Sequence, residues 1–281
     1  MANIHWFPGH MNKALNEIKE KVKLVDVVIE LLDTRIPYSS FNDEFEKFVA
    51  NKKRLFVFTK EDLADPTITK GWIDQFNKEK KDFLFLDIVH DNVNNVLTKK
   101  IAALAIEKHL KDKAKGMKPQ PVRAMIIGIP NVGKSSLINK LAKRKVAGVE
   151  NRPGFTRGEQ FIKINNDFLL VDTPGVLPMN YENKKKAMHL ALVGSIKEEI
   201  LPTLDMANYL LDFFKERYPS ILEARFDIKE IKENHEVLEE IARKRGLLGQ
   251  AGILQIEAAA SLLLKEFKDG KLGRISLERA L

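Results

Sequence analysis

Apolar residues recur along this chain in two rhythms, and the rhythm changes near residue 184. Before that point, near-continuous apolar runs at 25–32, 55–58, 83–86, 122–127 and 168–171 have the length and branched or aromatic content of strands buried on both faces, the habit of parallel sheets. Helical spacing separates most of them. The first helical stretch follows Gly9 and sets Met11, Leu15, Ile18 and Val22 on one face, with Lys and Glu elsewhere. Strands alternating with helices predict an α/β fold with a doubly wound, mostly parallel sheet. After Lys184 the strand pattern stops. Leu204, Ala207, Leu210, Leu211 and Phe214 recur at helical spacing, as do Ile253, Ile256, Ala260, Leu264 and Phe267, with Gly246 and Gly270 placed as C-terminal stops. The pattern therefore divides the chain into an α/β domain over 1–183 and an all-helical C-terminal domain over 184–281. Inside the first, the polar stretch 111–121, with Pro119 and Pro121, reads as a linker.

Composition narrows the class. A length of 281 residues with 44% hydrophobic content is enough for a core in each of two domains. With no cysteine the chain has neither a disulfide framework nor a thiolate metal site. No signal peptide and no apolar run of the ~18 residues a spanning helix needs stand out, so a cytoplasmic, membrane-free protein is expected. The net charge of +8 and isoelectric point near 9.3 favour a polyanionic partner such as RNA. Heavy lysine use in a low-GC genome explains the same charge, so composition leaves both readings open.

The candidate chemistry sits at strand ends. Gly128-Ile129-Pro130-Asn131-Val132-Gly133-Lys134-Ser135 follows a strand and opens a helix, the context in which GxxxxGK[ST] is a phosphate-binding loop. Backbone N–H groups of Val132, Gly133 and Ser136 can surround phosphates at the helix N-terminus; Lys134 neutralises the β and γ phosphates and Ser135 ligates Mg²⁺. Asp172-Thr173-Pro174-Gly175 follows another strand, so Asp172 can hold a Mg²⁺-bound water and the Gly175 N–H can face the γ-phosphate. Thr59-Lys60-Glu61-Asp62 follows the second strand. There the Asp62 carboxylate can accept from N1–H and the 2-amino group of guanine, while the Lys60 stem covers the purine face. Adenine lacks both donors, and an unpaired carboxylate costs about 2–5 kcal/mol. Together these motifs imply a GTP and GDP site. Their order is unusual, because the base-reading motif precedes the phosphate motifs. That order implies circular permutation, with 111–121 joining what are elsewhere the last helix and the first strand.

Several positions bear on catalysis. Thr156 is the only threonine between the phosphate loop and Asp172, which makes it the candidate for the mobile threonine that closes on Mg²⁺ and the γ-phosphate. Val176 stands where many GTPases carry a water-orienting glutamine. Valine has no polar side-chain atom, so either another group supplies the contact or hydrolysis is very slow and the chain is a nucleotide-responsive scaffold. His10, in Trp6-Phe7-Pro8-Gly9-His10-Met11, can orient water near neutral pH; helix capping or a partner contact is the bland alternative. The Asn131 amide can ligate K⁺ beside the phosphates, or simply favour the turn. Where a guanine-sheltering Ser-Ala loop is expected, Asp87-Ile88-Val89 stands instead.

The Phe7-Pro8-Gly9-His10-Met11 start, Asp33-Thr34-Arg35-Ile36-Pro37 after the first strand, the phosphate loop and the permuted order together make the chain resemble the circularly permuted GTPases, closest to the bacterial ribosome biogenesis GTPase A family, essentially end to end. The resemblance implies a monomeric GTPase that binds the immature large ribosomal subunit, promotes a late assembly step, and hydrolyses GTP faster when bound. It further implies a catalytic part for His10, K⁺ activation through Asn131, and contact of the helical domain with ribosomal RNA, beside ribosomal proteins. Thr59 in place of the more usual Asn, the 87–89 loop and Phe155 depart from the family pattern. Basic candidates for RNA contact are Arg243, Lys244, Arg245, Lys265, Lys268, Lys271 and Arg274, with Lys184, Lys185 and Lys186 at the junction; a permuted GTPase serving the small subunit or RNA modification is the competing reading. In the switch reading, GTP orders Thr156 and the Gly175 turn and so biases how the helical domain docks.

Overall fold

Helix α1 (Gly9–Val22) buries Met11, Leu15, Ile18 and Val22, the face its spacing predicts. A computed structural model describes residues 9–143, 161–178, 184–196, 201–230 and 233–280, with the side chains of Gly9 and His10 outside that description. Strand β1 (Val27–Asp33) is buried throughout. It is followed by α2 (Pro37–Ser40) and by α3 (Asp43–Val49), whose Asn42 cap accepts from the Glu44 N–H. Then come β2 (Lys53–Thr59), α4 (Pro66–Lys78), β3 (Phe83–Leu86), α5 (Val93–Leu104) and α6 (Ile106–Ala114). Helix α6 runs through the first residues of the expected linker, so the irregular connection is 115–121. Strand β4 (Val122–Gly128) leads into α7 (Lys134–Ala142), and the short β5 (Ile162–Lys163) precedes β6 (Phe168–Val171).

The six strands form one sheet in the order β3-β2-β1-β4-β6-β5, parallel except for the β5–β6 pair. The expected doubly wound, mostly parallel sheet is therefore present. Strands β1 and β4 lie side by side at its centre, Val27 opposite Ala124 and Leu31 opposite Gly128, with core residues of both almost fully buried. Each fully buried Leu, Ile, Val or Phe contributes ~1.5–3 kcal/mol, and this stripe holds the loops at the C-terminal ends of the strands. In an open α/β sheet those ends are where ligands bind.

The chain forms two compact units, 1–182 together with Ser276–Leu281, and Asn183–Ile275. The second is helical: α8 (Lys184–Leu192), α9 (Thr203–Arg217), α10 (Ser220–Phe226), α11 (Asn234–Lys244) and α12 (Ile256–Lys268). Its core joins Leu210, Leu211 and Phe214 to Val237, Leu238 and Ile241 and to Ala260, Leu263, Leu264 and Phe267. Buried Glu266 accepts from Arg225 at 2.8 and 2.7 Å, with Arg245 3.6 Å away. Part of the basic set is thus committed internally, since Lys244 also pairs with Asp227 at 3.3 Å and Lys271 with Asp269 at 3.8 Å. Arg243 and Lys265 are exposed.

Candidate nucleotide site

The phosphate-loop sequence turns sharply at the end of β4. Gly128 has φ +154°, Asn131 φ +57° and Gly133 φ +104°, conformations that glycine and asparagine adopt most cheaply. A Cβ on Gly128 would lie 2.8 Å from the Leu31 carbonyl oxygen, so β1 and the loop can approach this closely only with glycine there. Val132 is buried, whereas Asn131, Ser135 and Ser136 are exposed around the loop and the first turn of α7. Lys134 folds back over the loop and donates to the Ile129 carbonyl at 2.8 Å and the Gly128 carbonyl at 3.3 Å. Burial pushes its pKa down to about 8, with the Asp172 charge opposing. Burial likewise raises Asp172, while the Thr173 backbone, Lys134 and Lys21 pull it down.

The segment after β6 is fastened to the same loop. Thr173 Oγ1 donates to the Ile126 carbonyl at 2.5 Å and the Val176 N–H to the Gly128 carbonyl at 3.2 Å. A Cβ on Gly175 would stand 2.8 Å from Lys134 Nζ and 2.9 Å from the Pro130 backbone, so no other residue fits without displacing the lysine or the loop. The Val176 side chain is wholly buried, and Asn42 Nδ2 donates to its carbonyl at 3.1 Å. Position 176 therefore turns its side chain into the core and offers no side-chain group to a water.

The Thr59-Lys60-Glu61-Asp62 motif starts where β2 ends. Thr59 Oγ1 donates to the Val132 carbonyl at 2.6 Å, joining this motif to the phosphate loop. Lys60 is left-handed, with φ +59°, and donates through Nζ to Asp33 Oδ2 at 3.0 Å. Asp62 lies exposed in a single turn of 3-10 helix over Glu61–Leu63. Asp65 then caps α4 by accepting from the Thr67 and Ile68 N–H groups at 2.8 and 3.3 Å. Burial alone would raise the Asp33 pKa, but Arg35 and Lys60 outweigh it and hold the carboxyl well below the usual carboxylate range.

In the loop 87–91, Asp87 Oδ1 accepts from the Val89 and His90 N–H groups at 2.8 and 3.1 Å. Lys140 of α7 donates to the Val89 carbonyl at 2.7 Å, and Ile88 Cδ1 would meet a Cβ on Gly133 at 3.2 Å. The departure from Ser-Ala is thus a docked turn beside the phosphate loop. In the sequence Asp33 and Arg35, which brace Lys60, stand only as part of a motif; nothing in their spacing links them to the lysine that follows the next strand. Thr156 lies outside the described residues, and so does the His10 side chain, although His10 itself falls in the first turn of α1.

A glycine-built loop with a buried lysine, hydroxyls at a helix start and a carboxylate beside them fits a nucleotide polyphosphate and a hard divalent cation. Comparison with known proteins agrees. Residues 123–247 match the family described as 50S ribosome-binding GTPase. The chain is 41% identical to Ribosome biogenesis GTPase A of Bacillus licheniformis over 277 residues, covering 98% of each chain. It is 32% identical to the protein of that name from Thermotoga maritima, over 98% of this chain and 94% of that one. The GDP-bound structure of the Thermotoga YlqF superposes with a TM-score of 0.68 at 30% identity, covering 94% of this chain and 98% of that one. The GNP-bound YlqF superposes with the same TM-score, over 95% and 98%. With its sheet order, its permuted motifs and relatives matched end to end, the chain belongs to the ribosome biogenesis GTPase A family of GTP-hydrolysing ribosome-assembly proteins.

Proposed function

We propose that this GTPase binds the immature large ribosomal subunit in the cytoplasm, acts as a monomer at a late assembly step, and hydrolyses GTP faster when bound. The observation that carries the site is the meeting of its two halves, with Thr59 bonded to Val132 at 2.6 Å while Gly175 closes on Lys134 and Pro130. The loop around Gly133 cradles the phosphates, and their negative charge keeps the buried Lys134 protonated. Ser135, and Asp172 through a water, are the residues that hold Mg²⁺, which supplies positive charge at the phosphates. Lys60 covers the base and Asp62 reads its donors. Thr156 and the Gly175 N–H sense the γ-phosphate, and His10 stands in for the glutamine that Val176 replaces. Asn131 holds K⁺; equal turnover in K⁺ and Na⁺ would remove that role.

The 50S ribosome-binding description of the matching family supports the large subunit as partner. The helical unit presents exposed basic side chains, Arg243 and Lys265 among them, as phosphate contacts to ribosomal RNA, so association weakens steeply with salt. Among the described residues no helix is long and apolar enough to cross a membrane. Sedimentation with purified subunits in GDP and in a non-hydrolysable GTP analogue is the test. Retention on large subunits with the analogue alone is expected. Equal retention in both nucleotides, or a preference for small subunits, overturns the proposal.

A further inference from the structure

The last residues of the chain do not stay with the helical unit. Ile275 is that unit's final residue, and Ser276–Leu281 belongs to the GTPase unit. Ser276 and Leu277 are buried, at 1% and 4% exposure. Ser276 Oγ accepts from the Asp65 N–H at 3.0 Å. The Leu277 N–H donates to the Arg35 carbonyl at 2.9 Å. The Glu278 carboxylate accepts from the Ser39 N–H at 3.0 Å and from the Ser39 hydroxyl, and the Glu278 carbonyl accepts from Trp72 Nε1 at 3.4 Å. Ala280 packs on the cluster of Leu32, Phe56, Phe58, Trp72 and Phe76.

These contacts fall on both sides of the base-reading turn. On one side the strap grips Arg35, whose guanidinium donates to Asp33 at 3.0 and 2.8 Å while Asp33 accepts from Lys60 at 3.0 Å. On the other it holds Asp65, which follows the Glu61–Leu63 turn that carries Asp62. Lys60 sits in a left-handed conformation, with φ +59°, which is costly for a residue with a side chain and favours a turn held from outside. We infer that Ser276, Leu277 and Glu278 form a C-terminal strap whose residues are positioning residues for guanine recognition, holding the Lys60–Asp62 turn in the geometry that reads the base. The inference rests on the reading of Lys60 and Asp62 as the base contacts. The strap acts by pre-organisation: a turn already fixed loses less freedom when the base arrives. No pattern of apolar spacing marks these residues, and their partners lie at the opposite end of the sequence.

The test uses the full chain with Ser276→Ala, Glu278→Gln and the pair together, titrated with GDP and with IDP. Inosine lacks only the 2-amino group, so the ratio of the two affinities reports the Asp62 contact and nothing else in the nucleotide. The double variant is expected to bind GDP about tenfold more weakly and IDP only about threefold more weakly, contracting the ratio. An unchanged ratio overturns the strap, whether or not both affinities fall together, because general loss of structure weakens both ligands alike. If the double variant does not fold, Glu278→Gln alone decides, since it keeps the size of the side chain and an acceptor for Ser39. Asp62→Asn in the otherwise unaltered chain separates the underlying reading. It should exchange preference for guanine with preference for xanthine, whose 2-carbonyl accepts where guanine donates; failure there removes the base assignment, while success beside an unchanged GDP to IDP ratio removes the strap alone.

Discussion

Thr59 Oγ1 lies 2.6 Å from the Val132 carbonyl oxygen and 3.2 Å from that of Leu32. The hydroxyl has one proton, and the shorter contact takes it, so the side chain that ends β2 stitches that strand to the phosphate loop. Thr59→Val keeps the shape and leaves the buried Val132 carbonyl without its donor, which costs about 1–3 kcal/mol and lowers GDP affinity about tenfold. Thr59→Asn, with two amide protons, restores most of it. Titration with GDP checks both; wild-type affinity in Thr59→Val would refute the stitch.

Gly175→Ala places a methyl group 2.8 Å from Lys134 Nζ and 2.9 Å from the Pro130 backbone. The lysine or the turn must give way, and the N–H proposed to face the γ-phosphate moves with it. Loss of one backbone donor to a transferring group lowers turnover about a hundredfold. GDP affinity changes far less. Single-turnover hydrolysis beside GDP titration measures the split, and an equal loss in both would argue that the turn serves stability alone.

Stability should decline with rising pH through a single buried carboxyl. Glu30 is fully buried in β1; burial raises its pKa from 4.5 to about 7, with the paired Arg54 opposing. Between those values the folded chain keeps a proton that the unfolded chain has released, so this group's contribution is fully present below about pH 4.5 and is lost as pH rises through about 7. Glu30→Gln removes the titration. Relative to wild type it should gain roughly 1–3 kcal/mol between about pH 5 and pH 8. Denaturant melts at both pH values check it, and a difference independent of pH would reassign the proton.

His10→Ala should reduce subunit-stimulated GTP turnover about a hundredfold, the span of a lost acid–base group, while leaving GTP affinity unchanged. The buried side chain of Val176, whose carbonyl already accepts from Asn42 at 3.1 Å, leaves the water contact to another residue. Stopped-flow phosphate release with and without large subunits measures it, and equal rates in the two proteins would return His10 to a structural role.

Much of this was legible in the chain because it depends on local rhythm. The runs that became β1, β2, β3, β4 and β6 are long enough to show an apolar signature, and the phosphate loop is recognisable from a strand before it and a helix after it. Strand β5 left no trace, because Ile162–Lys163 is too short to show alternation and exists only through its pairing with Leu169 and Leu170. The bracing of Lys60 by Asp33 escaped notice for a different reason. Each residue reads as part of a separate motif at the end of its own strand, and only the parallel register that sets Asp33 opposite Thr59 brings them together. The strap from Ser276 is the extreme case, a handful of residues whose meaning lies wholly in distant partners.

The connection 115–121 has a mechanical consequence. Residues 113–120 are exposed, and the two flanks of the connection are pinned to one carboxylate oxygen outside it: Asp26 Oδ2 accepts from Lys108 at 3.0 Å and from the Arg123 N–H at 2.9 Å. Asp33, Thr59, Lys60 and Asp62 precede it; Gly128, Gly133, Lys134 and Asp172 follow it. Cutting there yields two fragments, each carrying half of the proposed nucleotide site and meeting along the β1–β4 ladder. The connection then acts as a tether that sets the local concentration of one half about the other, and a nucleotide that touches both halves is the cross-link between them.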